Sequence, residues 1–301
     1  MAIVTDREAT SRAAETFLRG ATAAGALRGP IGTVVRHAIL VVCCAAFIVP
    51  FYWMVSTSLK TNDQILTFPP KLIPNPVHWA NYPDALDVVP FLRYAANTAI
   101  ICVATIAGAL ISNTIVAYGF SRVEWRGRDA AFVVVLASLM LPYQVTMIPL
   151  FILFSKIGWT NTFLPLTVPS FFGNAFYIFL LRQFFRGIPR DYTEAAKLEG
   201  ATELQILWQI IVPLARPALI TVALFQFLFA WNDFLGPLLY LNDDTKFTLS
   251  LGLANMQSAL GLSQFGQIMA VATMTVVPVL LVFIAAQRFF IQGIATSGLK
   301  G

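Results

Sequence analysis

Six stretches of this 301-residue chain carry nearly unbroken runs of apolar side chains, near His37 to Ser56, Tyr94 to Phe120, Ala130 to Phe154, Thr160 to Leu181, Pro217 to Leu241 and Phe265 to Ala286. A helix rising ~1.5 Å per residue needs about 20 such residues to cross a hydrocarbon core roughly 30 Å thick. Each stretch meets that requirement, so the pattern predicts an all-α, polytopic membrane protein with six transmembrane helices. The chain then divides into an N-terminal segment (1–36), a six-helix membrane domain (37–290) with a long polar loop at 182–217, and a C-terminal tail (291–301). Composition agrees: 57% of residues are hydrophobic and 12% charged, against roughly a quarter charged in a soluble domain.

The net charge of +5 would point to nucleic acid in a soluble protein, but in a membrane protein basic residues report orientation. Placing Arg7, Arg12, Arg19, Arg28, Arg36, Arg122, Arg126, Arg128, Arg182, Arg186, Arg190, Lys197, Arg216, Arg288 and Lys300 on one face leaves Lys60, Lys71, Arg93, Lys156 and Lys246 on the other. Fifteen against five places both termini in the cytoplasm. Residues 1–36 lack the apolar core of a cleaved signal, so the first crossing is expected to be an uncleaved anchor. Cys43, Cys44 and Cys102 fall inside predicted crossings and read as packing residues. His37 and His78 are isolated, so no metal is assigned.

The first outside loop, 57–93, carries Pro69, Pro70, Pro74, Pro76 and Pro83 with Phe68, Trp79 and Tyr82. It is expected to be extended and stiff, either a spacer or a docking surface. The last outside loop, 242–264, ends with Leu253, Met256 and Leu260 at helical spacing, a short interfacial helix. The loop from Arg182 to Pro217 is the most informative. Asp191 and Glu194, after Pro189, form a capping-box pattern for a helix starting near Tyr192. Gly200 suits its C-terminus. A second helical run from Thr202 must bend between Pro213 and Pro217.

The absences narrow the class. Asp233 is the only acidic or basic side chain well inside a crossing, whereas a proton- or voltage-driven machine keeps several. No G-x-x-x-x-G-K-[ST] loop, H-E-x-x-H or G-x-S-x-G occurs, so neither nucleotide binding nor hydrolysis is expected of this chain.

The stretch EAAKLEGATELQILWQIIVP at 194–213 resembles the EAA loop of binding-protein-dependent ABC importers. Glu194, Ala195, Ala196, Gly200, Ile210 and Pro213 fall in register, with Val212 where leucine is usual. SLKTNDQI at Ser58–Ile65, the loop ending in ANYPDAL, FLFAWNDFLGPL at Phe227–Leu238 and the terminal TSGLKG are similar to the MalG-like branch serving carbohydrates. The resemblance implies that the helix beginning near Tyr192 is a cytoplasmic coupling helix seated in a cleft of an ATPase subunit. There Ala195 and Ala196 would allow close approach, Glu194 would pair with a base, and Gly200 would turn the chain out. It further implies a second, similar permease subunit, two ABC ATPases that use ATP and Mg, and an extracytoplasmic solute-binding protein. No cofactor is expected on this chain, which would sit in a bacterial inner membrane. The tail is either frayed or reaches into the ATPase dimer.

A sugar path needs amides, carboxylates and aromatic faces. The candidates are Asn97, Asn113, Asn174, Tyr177, Gln226, Trp231, Asn232 and Asp233, with Gln144 beside them; each could equally bond helix to helix. Asp233 could also cap a broken helix near Pro237. The competing solute is a glycerol-phosphate ester or a peptide, for which Arg93 is the only basic candidate near a pore. The competing class is a secondary transporter, which would work without an ATPase.

Overall fold

The computed structural model describes residues 30–298. The N-terminal arginines up to Arg28 and the end of the TSGLKG tail, with Lys300, lie outside the described residues. Besides a helix at Asn81–Val88 in the first loop, the longer helices are, in chain order, α1 (Pro30–Ser58), α2 (Phe91–Ser121), α3 (Arg128–Ala137), α4 (Tyr143–Lys156), α5 (Ala175–Gly187), α6 (Asp191–Leu198), α7 (Arg216–Trp231), α8 (Leu249–Leu260) and α9 (Phe265–Gly298).

Four spans are long and apolar enough to cross a membrane alone: Gly32–Ser58, Phe91–Ser121, Leu164–Gly187 and Phe265–Gln287. Two bent pairs, Arg128–Met140 with α4 at 93° and Glu203–Leu214 with α7 at 81°, raise the number of candidate crossings to up to six when each pair counts as one span. α1 begins at Pro30, earlier than the predicted His37, and proline suits a first helical position. α9 runs to Gly298, so much of the predicted tail is helical.

Three predicted crossings are not the straight helices that hydropathy implied. The third breaks at Leu141, whose φ −79°, ψ 112° is extended, because the ring of Pro142 disfavours helical geometry in the preceding residue. The fourth comprises Leu164–Thr167, a 3₁₀ turn at Val168–Phe172 and α5, parted at Gly173 with φ 90°. The fifth breaks after Trp231 and resumes as Leu235–Tyr240. Pro237 donates no amide hydrogen and its ring would meet the carbonyl of Asp233 one turn back. The 16 residues of α7 rise only ~24 Å, so the second limb is needed to complete the crossing.

α2 is the central post, packed on α5, α7 and the 3₁₀ turn. Its contact with that turn depends on small residues. A Cβ on Gly108 would lie 2.5 Å from Ser170 Oγ, and one turn on Ser112 Oγ donates to Ser170 O at 3.1 Å. Close backbone approach of this kind replaces the hydrophobic drive that lipid does not supply. One buried core, with Tyr118, Leu181, Phe185, Ile206, Leu207 and Ile211, lies at the α6 end. A second, with Tyr94, Trp231, Leu249, Met256 and Ile268, fills the opposite end. The short helix expected in the last outside loop is α8, which turns Leu249, Leu251 and Met256 inward.

α1 stands apart from both cores. It packs on α9 and leaves Val41, Val42, Phe47 and Ile48 exposed. Its Cys43 and Cys44 are exposed too, so only buried Cys102 has the predicted packing role. Just past α1, Lys60 is buried over the Trp53 ring at 4.3 Å, and burial pushes its ammonium below the usual lysine range. Its carbonyl and that of Ser58 accept the Asn81 amide at 2.8 and 2.9 Å, tying the first loop to the bundle.

Candidate functional site

The loop 182–217 folds as a short surface helix followed by a second helical run. Asp191 and Glu194 stand in the first turn of α6 and Lys197 in the last, the order that complements the helix dipole. The predicted capping box is not here: α6 starts from Arg190 without a side-chain cap. It sits one element later, where Thr202 Oγ1 accepts the Gln205 amide at 3.4 Å and Gln205 Oε1 accepts that of Thr202 at 2.8 Å. Asp191 is helical rather than extended, and a residue inside the helix cannot serve as its N-cap. Gly200 adopts φ +84°, the left-handed conformation expected where the chain leaves α6.

The six residues of the EAA pattern divide into two sets. Glu194, Ala195 and Gly200 are exposed, whereas Ala196 is buried against the core and Ile210 and Pro213 are half-buried behind it. The expectation that Ala196 faces a partner is therefore corrected: its small size fits it beneath α6. Among the described residues the Glu194 carboxylate accepts no hydrogen bond and forms no ion pair. The outward face adds Tyr192 and Leu198, the latter 91% exposed. Neither was singled out by the sequence, although their spacing with Ala195 at i, i+3, i+6 was visible there.

Polar ties anchor this loop to the bundle. Arg122, beyond α2, donates to the carbonyl oxygens of Phe185, at 2.5 Å, and Ile188 at the end of α5. Arg182 of α5 donates to Phe120 O at 3.1 Å and pairs with Asp129 at 3.2 Å. Each helix thus supplies the cation that satisfies the other's terminal carbonyls. Burial, with a smaller contribution from Arg190, lowers the Arg122 guanidinium below its ordinary value.

A second site lies between α2, α4, α5 and α7: a cavity of about 740 Å³. Of the predicted path residues, Asn174, Tyr177, Gln226 and Asp233 line it, joined by Tyr143, Phe154, Phe229 and Tyr240. Gln226 and Tyr177 are each 7% exposed, and among the described residues neither the amide nor the phenol has a protein hydrogen-bond partner. Asn174 caps α5, accepting the Phe176 and Tyr177 amides. Asp233 Oδ1 accepts the Gly236 amide at 3.1 Å, and a Cβ on Gly236 would come within 2.4 Å of Oδ2. Among the described residues Asp233 is the only charged one of the lining.

The other four predicted path residues point elsewhere. Asn97 Nδ2 donates to Thr245 O and Phe247 O, both at 3.0 Å. Asn113 bonds Ala109 O at 2.6 Å and the Asn174 amide at 2.6 Å. Trp231 Nε1 donates to Thr275 O at 3.2 Å, and exposed Asn232 bonds back to Leu228 O at 2.8 Å. These side chains hold backbone to backbone. Gln144 and Arg93 are exposed and also lie outside the lining. Tyr143 and Tyr240 were not among the candidates; the Pro142 break that carries Tyr143 inward was the available signal.

Comparison with known proteins agrees with this geometry. The chain is 35% identical over 259 residues to the diacetylchitobiose uptake system permease protein NgcG of Streptomyces coelicolor, covering 84% of each. It is 32% identical over 275 residues to the lactose transport system permease protein LacG of Rhizobium radiobacter, covering 90% of this chain and 98% of that one. Among solved structures, a chain of a bacterial ABC transporter that imports the acidic polysaccharide alginate superposes with TM-score 0.76 at 26% identity, over 86% of this chain and 96% of that one. Residues 104–296, which hold α6 and most of the cavity wall, match the model of one family, and the chain belongs to it: the binding-protein-dependent transport system inner membrane components.

Proposed function

We propose that this chain is one of two membrane subunits of an ATP-driven importer and that its solute is a neutral di- or oligosaccharide delivered by an extracytoplasmic binding protein. The observation that carries the reading is the free outer face of α6. Tyr192 and Leu198 present apolar surface, and Glu194 an unpaired carboxylate, at the basic end of the bundle. The fifteen-to-five charge bias supports placing that end and both termini in the cytoplasm, where α6 would enter a cleft of one of two ATPase subunits. Those subunits use the ATP and Mg; this chain supplies no catalytic group. A second, similar subunit would complete the path, and rigid-body rocking driven by ATP binding and hydrolysis would expose it alternately to each side.

The cavity supports the choice of solute. Its phenols, Gln226 amide and aromatic faces match sugar hydroxyls and sugar rings. Asp233 with no lining cation disfavours an anionic solute, so a phosphate ester or uronate fits less well. Two relatives, named for diacetylchitobiose and lactose, point the same way, whereas the structural neighbour imports an acidic polysaccharide.

The test is uptake by proteoliposomes that hold the assembled complex and internal ATP, supplied with binding protein loaded with neutral oligosaccharides, uronate oligosaccharides or sn-glycerol 3-phosphate. ATP-dependent accumulation of a neutral saccharide supports the proposal. Accumulation in vesicles lacking the ATPase subunits would replace it with secondary transport.

A further inference from the structure

Glu203 opens the helical run after α6, and its carboxylate holds two elements at once. Lys197 Nζ, on α6, lies 2.7 Å from Oε1. Tyr118 Oη, near the end of α2, donates to Oε2 at 2.5 Å. Tyr118 is 4% exposed and belongs to the core beneath α6, while Lys197 and Glu203 are half-exposed. Burial pushes the Glu203 carboxyl up, but the Lys197 and Tyr118 hydrogen bonds and the lysine charge outweigh it and leave it below its usual range. It is therefore ionised at neutral pH, and both bonds are charge-assisted.

One other polar contact, between Arg190 just before α6 and Glu124 at 3.1 Å, is solvent-exposed on both sides, and the remaining contacts of the loop with the bundle are of a different kind. Ala196, Ile206 and Leu207 pack in an apolar core, which resists separation but gives little direction to sliding. A π-helical turn, Leu207–Ile211, follows at once, a local irregularity often found at functional sites. α2 also carries Ile101, Thr105 and Ala109 of the cavity wall. One carboxylate thus stands between the surface helix and a helix that shapes the cavity.

We infer that Glu203 is a latch through which movement of α6 is passed to α2, with Tyr118 and Lys197 as positioning residues for the coupling of ATP hydrolysis to transport. The inference rests on the reading of α6 as the ATPase contact. Removing the latch leaves the outer face of α6 intact, so the ATPase subunits stay bound and still respond to loaded binding protein, but their motion reaches the cavity incompletely.

The experiment measures ATP hydrolysis and saccharide uptake in the same proteoliposomes, using the full complex with Tyr118→Phe, Glu203→Gln, Lys197→Arg and the double variant Tyr118→Phe/Glu203→Gln. Tyr118→Phe and Glu203→Gln are expected to lower uptake per ATP by about fivefold or more, while Lys197→Arg keeps it. The double variant is expected to be no worse than the worse single one, because both remove the same contact. Unchanged uptake per ATP in both single variants, or losses that multiply in the double variant, would overturn the latch. So would release of the ATPase subunits by Tyr118→Phe, which would make the tyrosine structural. Failure of the underlying reading shows separately, as undiminished stimulation in a Glu194→Lys complex.

Discussion

Replacing Gly200 with alanine isolates the backbone geometry of the loop from its contacts. Gly200 holds φ +84°, and a Cβ there would meet nothing within 4 Å, so no steric clash enters. The remaining cost is that of a left-handed residue bearing a side chain, roughly 1–2 kcal/mol. That amounts to about a 5- to 30-fold shift against the loop shape that presents α6. The assay is the fraction of ATPase subunit that stays with the membrane subunits through purification, together with stimulated ATP hydrolysis. Gly200→Asn should recover part of the loss, since asparagine tolerates this region better. Gly119→Ala is the control: it lies inside α2, also with open space around a Cβ, and should be neutral or stabilising by about 0.5–1 kcal/mol. Equal retention in Gly200→Ala and Gly119→Ala would refute the argument that the left-handed turn sets the presentation of α6.

Other perturbations follow from the same geometry. Arg122→Met leaves the Phe185 and Ile188 carbonyls without their donor and should destabilise by about 2–4 kcal/mol, read as a lower Tm in detergent. Gln226→Leu removes the amide that faces the cavity and should raise the half-saturating concentration of loaded binding protein or cut uptake by about 3- to 10-fold while leaving the Tm within a degree or two of the parent. Gly236→Ala forces Asp233 or Leu166 to move and should cost about 1–3 kcal/mol, seen both in Tm and in uptake. The Glu203 carboxyl lies below its usual range, so its ion pair contributes fully above the unfolded value of about 4.3 and is lost only as pH falls through the depressed one. Uptake per ATP should therefore be the same at pH 7 and pH 5 on this account, and a fall centred near pH 6 would contradict it.

The three unbroken crossings were legible because a run of apolar residues is both what a bilayer demands and what a sequence displays. The breaks were harder to see. A broken helix near Pro237 capped by Asp233 was one open reading, but Pro142 was in plain view and an apolar count does not register that a proline turns its predecessor extended. The cap on the loop was misplaced because Asp191–Glu194 and Thr202–Gln205 both fit the pattern, and only the backbone at each position separates them. Arg122 and Arg182 entered the sequence reading as loop charges. Their role as partners for each other's helix ends depends on α2 and α5 lying side by side.

The cavity shows the same limit. Asn97 and Asn174 are equivalent as sequence, both polar residues in apolar surroundings. The first is spent on two carbonyls of a distant loop; the second caps a helix in the cavity wall. Tyr118 and Glu203 are far apart in the chain, and nothing local to either marks the bond between them.

The central claim is that α6 is where ATP hydrolysis meets this subunit. Its most direct test is ATP hydrolysis by the purified complex in lipid, with and without saccharide-loaded binding protein, for the intact chain and for Glu194→Lys. The account predicts that the variant inserts and assembles with its sister subunit but loses stimulated hydrolysis or the ATPase subunits themselves; full stimulation in the variant would contradict it.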